Sequence, residues 1–153
     1  MKLISRSEAV GKYGAIDFAS KTWMKSNQFL KYAEIPDWFP NFHVMDTKLV
    51  VKHILVNVDM HKPLMEAFKA IKSRKLGDKL KTFDGAWNIR TVRGSSTSFS
   101  WHSYALAIDL NYEWNQLGQT SGKGSFYEMP EVVECFTEQG FIWGGDFNNR
   151  KDP

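Results

Sequence analysis

A histidine and an aspartate stand seven residues apart in the stretch SSTSFSWHSYALAIDLN, Ser95 to Asn111, and their types and spacing suit metal chemistry. From Ala105 onward the residues alternate, with Leu106, Ile108 and Leu110 on one face and Ala105, Ala107 and Asp109 on the other, the period of a half-buried strand. Asp109 is therefore expected on a rigid element, pointing away from the apolar side. His102 lies in the Ser-rich approach, and a turn between Ser103 and Ala105 would bring its imidazole round to the carboxylate. Zinc accepts imidazole and carboxylate oxygen, and a catalytic zinc uses three protein ligands with a fourth place left for water. The alternative is a surface histidine and a strand-end aspartate in ordinary hydrogen bonds.

The elements around this segment must place whatever else the chemistry needs. Thr82 to Val92 alternates around Asp84-Gly85, with Trp87 and Ile89 on one side and Asn88 and Arg90 on the other, so a strand is expected at Trp87 to Val92. A guanidinium fixed there beside a metal can polarise a peptide carbonyl or hold a substrate carboxylate. Arg93, in the turn before Gly94, is the rival, and a plain surface ion pair is the third reading. Further strands are expected at Val50 to Val58, Ala105 to Asn111 and Phe141 to Trp143. Ser5 or Ser7 can cap a short helix over Glu8 to Tyr13 that stops at Gly14. Pro63 suits the first turn of a second helix, whose Leu64, Phe68 and Ile71 recur at helical spacing up to Gly77. Its Lys69, Lys72, Arg74 and Lys75 form a solvated outer face. Pro130 opens a third helix that Gly140 closes, with Val132, Val133, Cys135 and Phe136 as its buried positions. Short connections favour α+β architecture, an antiparallel sheet with helices packed on one side. The aromatic stretch from Ala15 to Phe42 is expected to pack into the core rather than stack on a ligand.

Composition narrows the function classes. At 153 residues and 42% hydrophobic, the chain suits a single domain, residues 1–153. No apolar run reaches membrane-spanning length, and the start MKLISRSEAVGKYG has no apolar core of signal-peptide length, so neither membrane insertion nor an export signal is expected. The lone Cys135 excludes an internal disulfide and fits a reducing compartment. A net charge of +3 favours an anionic polymer such as a cell wall and falls far short of a nucleic-acid footprint. GQTSGKGS, Gly118 to Ser125, has three residues rather than four before Gly-Lys and no Ser directly after the Lys, which rejects a nucleotide-binding loop.

The wider pattern Ser100-x-His102-x-x-Ala105-x-Ala107-x-Asp109 resembles the SxHxxGxAxD signature of the zinc D-Ala-D-Ala carboxypeptidase and L-Ala-D-Glu endopeptidase family, peptidase family M15. Ala105 replaces the signature's glycine, a change tolerated in extended backbone but not where the residue needs a positive φ. Phe141-Ile-Trp-Gly-Gly-Asp146 is similar to the same peptidases, most closely their phage endolysin branch. Asp152-Pro153 looks like the start of the family's closing motif, a carboxylate, two residues and the third zinc-binding histidine.

The resemblance implies a Hedgehog/DD-peptidase-like fold and Zn2+ held by His102, Asp109 and a histidine that this sequence lacks. It implies Asp152 as the general base, Arg90 as the oxyanion stabiliser, and Arg90 and Ser100 as substrate-binding residues. A truncated C-terminus, lost zinc, or substitution by His43, His53 or His61 are the open explanations for the missing ligand, truncation being preferred. The implied partner is bacterial peptidoglycan, cut in its stem peptide by a monomer that waits in the host cytoplasm before lysis. L-Ala-D-Glu endopeptidase activity is expected ahead of D-Ala-D-Ala carboxypeptidase activity. Weak zinc binding and impaired activity are expected of a chain with two protein ligands. A non-catalytic wall-binding domain and a Hedgehog-like signalling domain are the alternatives from other classes.

Overall fold

The computed structural model describes residues 2–153, and the described residues form helices α1 to α4 and short strands β1 to β7. α1 (Arg6–Tyr13) starts at a reciprocal cap, in which the Ser5 hydroxyl accepts from the Glu8 N–H and the Glu8 carboxylate accepts from the Ser5 N–H. It stops at Gly14, whose φ of +81° lies where a β-carbon is disfavoured. β1 (Ile16–Asp17) and β2 (Thr22–Trp23) pair antiparallel, and α2 (Ser26–Phe29) follows. After β3 (Leu30–Glu34) and β4 (His43–Val44), β5 (His53–Asn57) returns antiparallel to β3. Asn57 ends that strand by capping the next helix: its Oδ1 accepts from the Asp59 N–H at 2.9 Å, so α3 (Val58–Ser73) begins at once. β6 (Thr82–Gly85) runs parallel to β4 and antiparallel to β7 (Asp109–Leu110), with a register shift between Phe83 and Gly85. α4 (Pro130–Thr137) packs against α3.

Two apolar clusters hold these elements. The larger collects Met60, Leu64, Phe68 and Ile71 of α3 against Ile54 and Val56 of β5 and Val132 and Cys135 of α4. The smaller joins Ala9, Tyr13 and Trp23 from the start of the chain to Ile89, Phe99 and Tyr104, and Leu106 touches both clusters. Tyr104 is its hub: its ring centroid lies 5.4 Å from Tyr13, 5.3 Å from Trp23 and 5.0 Å from Phe99, and its hydroxyl donates to the Gly14 carbonyl at 2.6 Å. The first residues of the chain thus buttress the segment that carries His102. The aromatic stretch before residue 43 buries Trp23, Phe39 and Phe42, while Tyr32 stays half exposed. No helix among the described residues is long and apolar enough to cross a membrane.

The architecture is mixed α and β, yet several expected strands form differently. In place of a single antiparallel sheet, the described residues form three small sheets, one containing the parallel β4–β6 pair. The strand expected over Val50 to Val58 is confined to His53–Asn57, because Val58 already belongs to α3. Trp87 to Val92 is not a strand; Thr91 alone bridges to Phe99, and Trp87 is 39% exposed while Ile89 is buried. Its backbone groups bond to the turn around His102 instead. Of Ala105 to Asn111 only Asp109–Leu110 is strand, since Ala105 adopts φ 54°, ψ 36° and is fully buried, against the outward face its alternation implied. Phe141 to Trp143 is not a strand either, and Phe141 folds back to bond the Phe136 carbonyl. Pro63 sits inside α3 rather than in its first turn, as Asn57 caps the helix further upstream.

Candidate active site

His102 is set by a 3-10 turn, Trp101–Tyr104, opened by Ser100 and closed by Ala105. Ser100 Oγ accepts from the His102 N–H at 3.4 Å, and the Ala105 N–H returns to the His102 carbonyl at 3.0 Å. The left-handed Ala105 reverses the chain there and sends it on to β7. The buried imidazole places Nδ1 at 3.1 Å from the Ala86 carbonyl oxygen. A carbonyl only accepts, so Nδ1 carries the proton of the neutral ring and Nε2 keeps its lone pair. Nε2 stands 3.4 Å from Oδ1 of Asp109, whose side chain is half exposed at the start of β7.

Two donors on a tetrahedral zinc, each at ~2.0–2.2 Å, stand roughly 3.4 Å apart. The His102–Asp109 pair fits two positions of such a site, and the fixed tautomer presents the correct nitrogen. Among the described residues no group of three His, Cys, Asp or Glu completes it. His43 is held at 2.8 Å by the Asn41 carbonyl, His53 packs edge-on against Tyr32 at 4.9 Å, and His61 rides on α3.

Arg90 is locked to the same frame as His102. Its N–H donates to Ser103 Oγ at 3.0 Å, and its carbonyl accepts from Ser103 Oγ at 2.7 Å and from the Ser100 N–H at 3.0 Å. The Asn88 N–H adds a bond to the His102 carbonyl at 3.0 Å. The half-buried guanidinium spends one Nη1 bond on the Thr91 carbonyl, at 3.3 Å. Arg93 is exposed in the turn before Gly94.

Asp152 meets this group from the far end of the chain. Its N–H donates to the Gly144 carbonyl at 3.0 Å, and the preceding Lys151 carbonyl accepts from the Gly118 N–H at 2.6 Å. Trp143 Nε1 donates to the Pro153 carbonyl at 2.9 Å. The residue is exposed, but its carboxyl is crowded enough that desolvation, followed by the negative charge of Asp109, pushes its pKa above the ordinary carboxylate value. His102 in its protonated form, then Arg90 and Arg93, pulls it back only in part. The structure thus places His102, Asp109 and both arginines within electrostatic reach of Asp152.

Several contributors were silent in the sequence. Ala86 acts through its carbonyl and Ser103 through a hydroxyl no motif marks. Buried Asn57 donates from Nδ2 to the Tyr104 carbonyl at 3.0 Å, and its N–H bonds the Ala105 carbonyl at 3.0 Å. Asp84, raised first by burial and further by Asp109 and Asp46, accepts from the Tyr112 N–H at 2.9 Å.

Residues 93–153 match the family model described as D-alanyl-D-alanine carboxypeptidase. The match supports the M15 peptidase family. The matched M15 segment contains Ser100, His102, Asp109 and Asp152, while Arg90 and Ala86 lie just before it. A cell-wall peptidase of the D-Ala-D-Ala carboxypeptidase kind is the activity class that this M15 match supports. Neither the curated proteins nor the solved structures contain a match to the chain.

Proposed function

We propose that the chain is a zinc-dependent peptidase of bacterial peptidoglycan, an endolysin-like monomer that cuts the L-Ala-D-Glu bond of the stem peptide. The observation that carries this reading is the 3.4 Å approach of His102 Nε2 to Asp109 Oδ1, with the His102 tautomer set by Ala86 and Asp152 within electrostatic reach of the pair. Bound zinc supplies Lewis acidity, which polarises a carbonyl and acidifies a water. Asp152 takes the proton of the attacking water on its carboxylate and returns it to the departing nitrogen, a task helped by its raised pKa. Arg90 offers its remaining N–H donors to the carbonyl oxygen as negative charge gathers there. Ser100, whose Oγ accepts from the turn, keeps its own O–H to orient the substrate.

The description of the matched family favours a second bond, D-Ala-D-Ala. Digestion of purified sacculi after zinc loading, with products read by mass spectrometry, separates the two. A newly freed D-glutamyl amine marks the endopeptidase, and released D-alanine marks the carboxypeptidase. Because two protein donors are expected to hold zinc weakly, the assay includes the chain extended by two residues ending in histidine. Neither product from the folded, zinc-loaded extended chain would leave a wall-binding domain as the better account.

A further inference from the structure

An open cavity of about 550 Å³ is walled by Arg6, Val92 and residues 146–150. Both walls belong to segments that also carry site residues: Val92 precedes Arg93, and the run 146–150 leads to Asp152. Arg6 enters from α1 and is held in place. Its Nε donates to the Phe99 carbonyl at 3.4 Å, and its guanidinium lies 5.5 Å from the ring centroids of both Phe99 and Trp101, the residue next to His102. The Nη groups of Arg6 have no protein partner among the described residues, nor does the guanidinium of exposed Arg150.

Two guanidiniums against the single carboxylate of Asp146 leave the cavity positive. A guanidinium presents paired N–H groups that match a carboxylate, and one already fixed by stacking loses little freedom on binding. Asn148 and Asn149 add side-chain amides that can both donate to and accept from a peptide backbone, and exposed Val92 and Phe147 offer apolar contact for methyl groups. A phosphate would use the arginines and the amide N–H groups but neither the amide carbonyls nor the apolar wall. We propose that this cavity is the subsite for a carboxylate of the substrate peptide, with Arg6 and Arg150 as its specificity-determining residues. The assignment rests on the stem-peptide reading above.

The test is a titration of the 15N-labelled full chain, without metal, followed by NMR. One probe is N-acetyl-D-alanyl-D-alanine, whose carboxylate is terminal; another is N-acetyl-L-alanyl-D-glutamic acid γ-methylamide, whose carboxylate is internal. Each is compared with its carboxamide and with inorganic phosphate. At least one acid should bind ten-fold or more tightly than its amide, shift the signals of residues 146–150 and weaken at least ten-fold in Arg6→Gln and in Arg150→Gln. The tighter acid identifies which carboxylate is read. Arg150→Gln removes an exposed loop side chain, and Arg6→Lys, which keeps the charge without the fork, should recover only part of the affinity. Equal binding of acid and amide, phosphate binding as tightly as the better acid, or undiminished binding in both glutamine variants overturns the proposal. Hydrolysis is not needed for this readout. Carboxylate-dependent binding without zinc-dependent cleavage supports the subsite and defeats the peptidase reading, whereas cleavage without carboxylate discrimination does the reverse.

Discussion

Gly144 and Asp152 fix one another's backbone: the Asp152 N–H donates to the Gly144 carbonyl at 3.0 Å, and a β-carbon on Gly144 would run into the Asp152 carbonyl oxygen. The approach is between main-chain atoms, so no side-chain rotation relieves it. In the zinc-loaded chain extended by two residues ending in histidine, Gly144→Ala is expected to push the Asp152 segment outward and lower kcat about 100-fold, as misplacing a reacting group by about 1 Å can do. Asp152→Asn should fall at least as far with the backbone undisturbed. Parallel kinetics and thermal melts of the two variants check this; full activity in Gly144→Ala would remove Asp152 from the chemistry.

Zinc retention reports the ligand set directly. After metal loading and dialysis, elemental mass spectrometry should find well under one zinc per molecule in the 153-residue chain and close to one in the version extended by two residues ending in histidine. His102→Ala or Asp109→Ala in the extended chain should lose it again. Tight stoichiometric zinc in the unextended chain would contradict the two-donor reading.

Ala105 sits fully buried at φ 54°, where the family signature has glycine. Relief of roughly 1–2 kcal/mol of left-handed strain in Ala105→Gly is offset by loss of a buried methyl, about 0.8 kcal/mol, and by a floppier unfolded chain, about 0.4–1 kcal/mol. Urea unfolding should place Ala105→Gly within about 1 kcal/mol of the parent. Ala105→Val adds β-branching to a positive φ in a filled site and should cost about 3 kcal/mol or more.

The Tyr13–Asp59–Lys12 network ties α1 to α3 and gives stability a readable pH dependence. The Tyr13 hydroxyl donates to Asp59 Oδ2 at 2.6 Å, and Lys12 Nζ lies 2.7 Å from the same oxygen. Burial, then the hydrogen bond and charge of Asp59, raises the Tyr13 phenol. Its contribution is therefore complete below the unfolded value, about 10, and declines as pH rises beyond it. Burial alone would raise Asp59, but the bonds from Lys12 and Tyr13 outweigh it and hold the carboxyl low. That contribution is present above the unfolded carboxylate value, about 3.9, and is lost as pH falls through the lower folded one. Tyr13→Phe should cost about 1–2 kcal/mol at neutral pH and flatten the alkaline decline in melting temperature. An unchanged alkaline limb would show that Tyr13 does not report it.

The reading of the sequence was most secure where a few neighbouring residues settle the outcome. Ser5, one of the two capping serines the sequence offers, starts α1 and Gly14 stops it; Leu64, Phe68 and Ile71 face the core from α3; Cys135 is buried. It failed where alternation was taken for strand. Trp87 to Val92 and Ala105 to Ile108 alternate, yet their backbone groups are satisfied by a turn and its serine hydroxyls rather than by a ladder.

For the candidate site, the sequence by itself determined only which residues were candidates, His102, Asp109, Arg90 and Asp152, because donor chemistry belongs to the residue type. Only the tertiary structure decided that Ala105 turns left-handed, that the Ala86 carbonyl sets the imidazole tautomer, that Gly144 makes room for Asp152, and that the opening residues brace Tyr104 two positions from His102. Those relationships run between main-chain atoms or across the packed aromatic cluster; a main-chain carbonyl leaves no mark on residue type, and a glycine does not say which segment it makes room for.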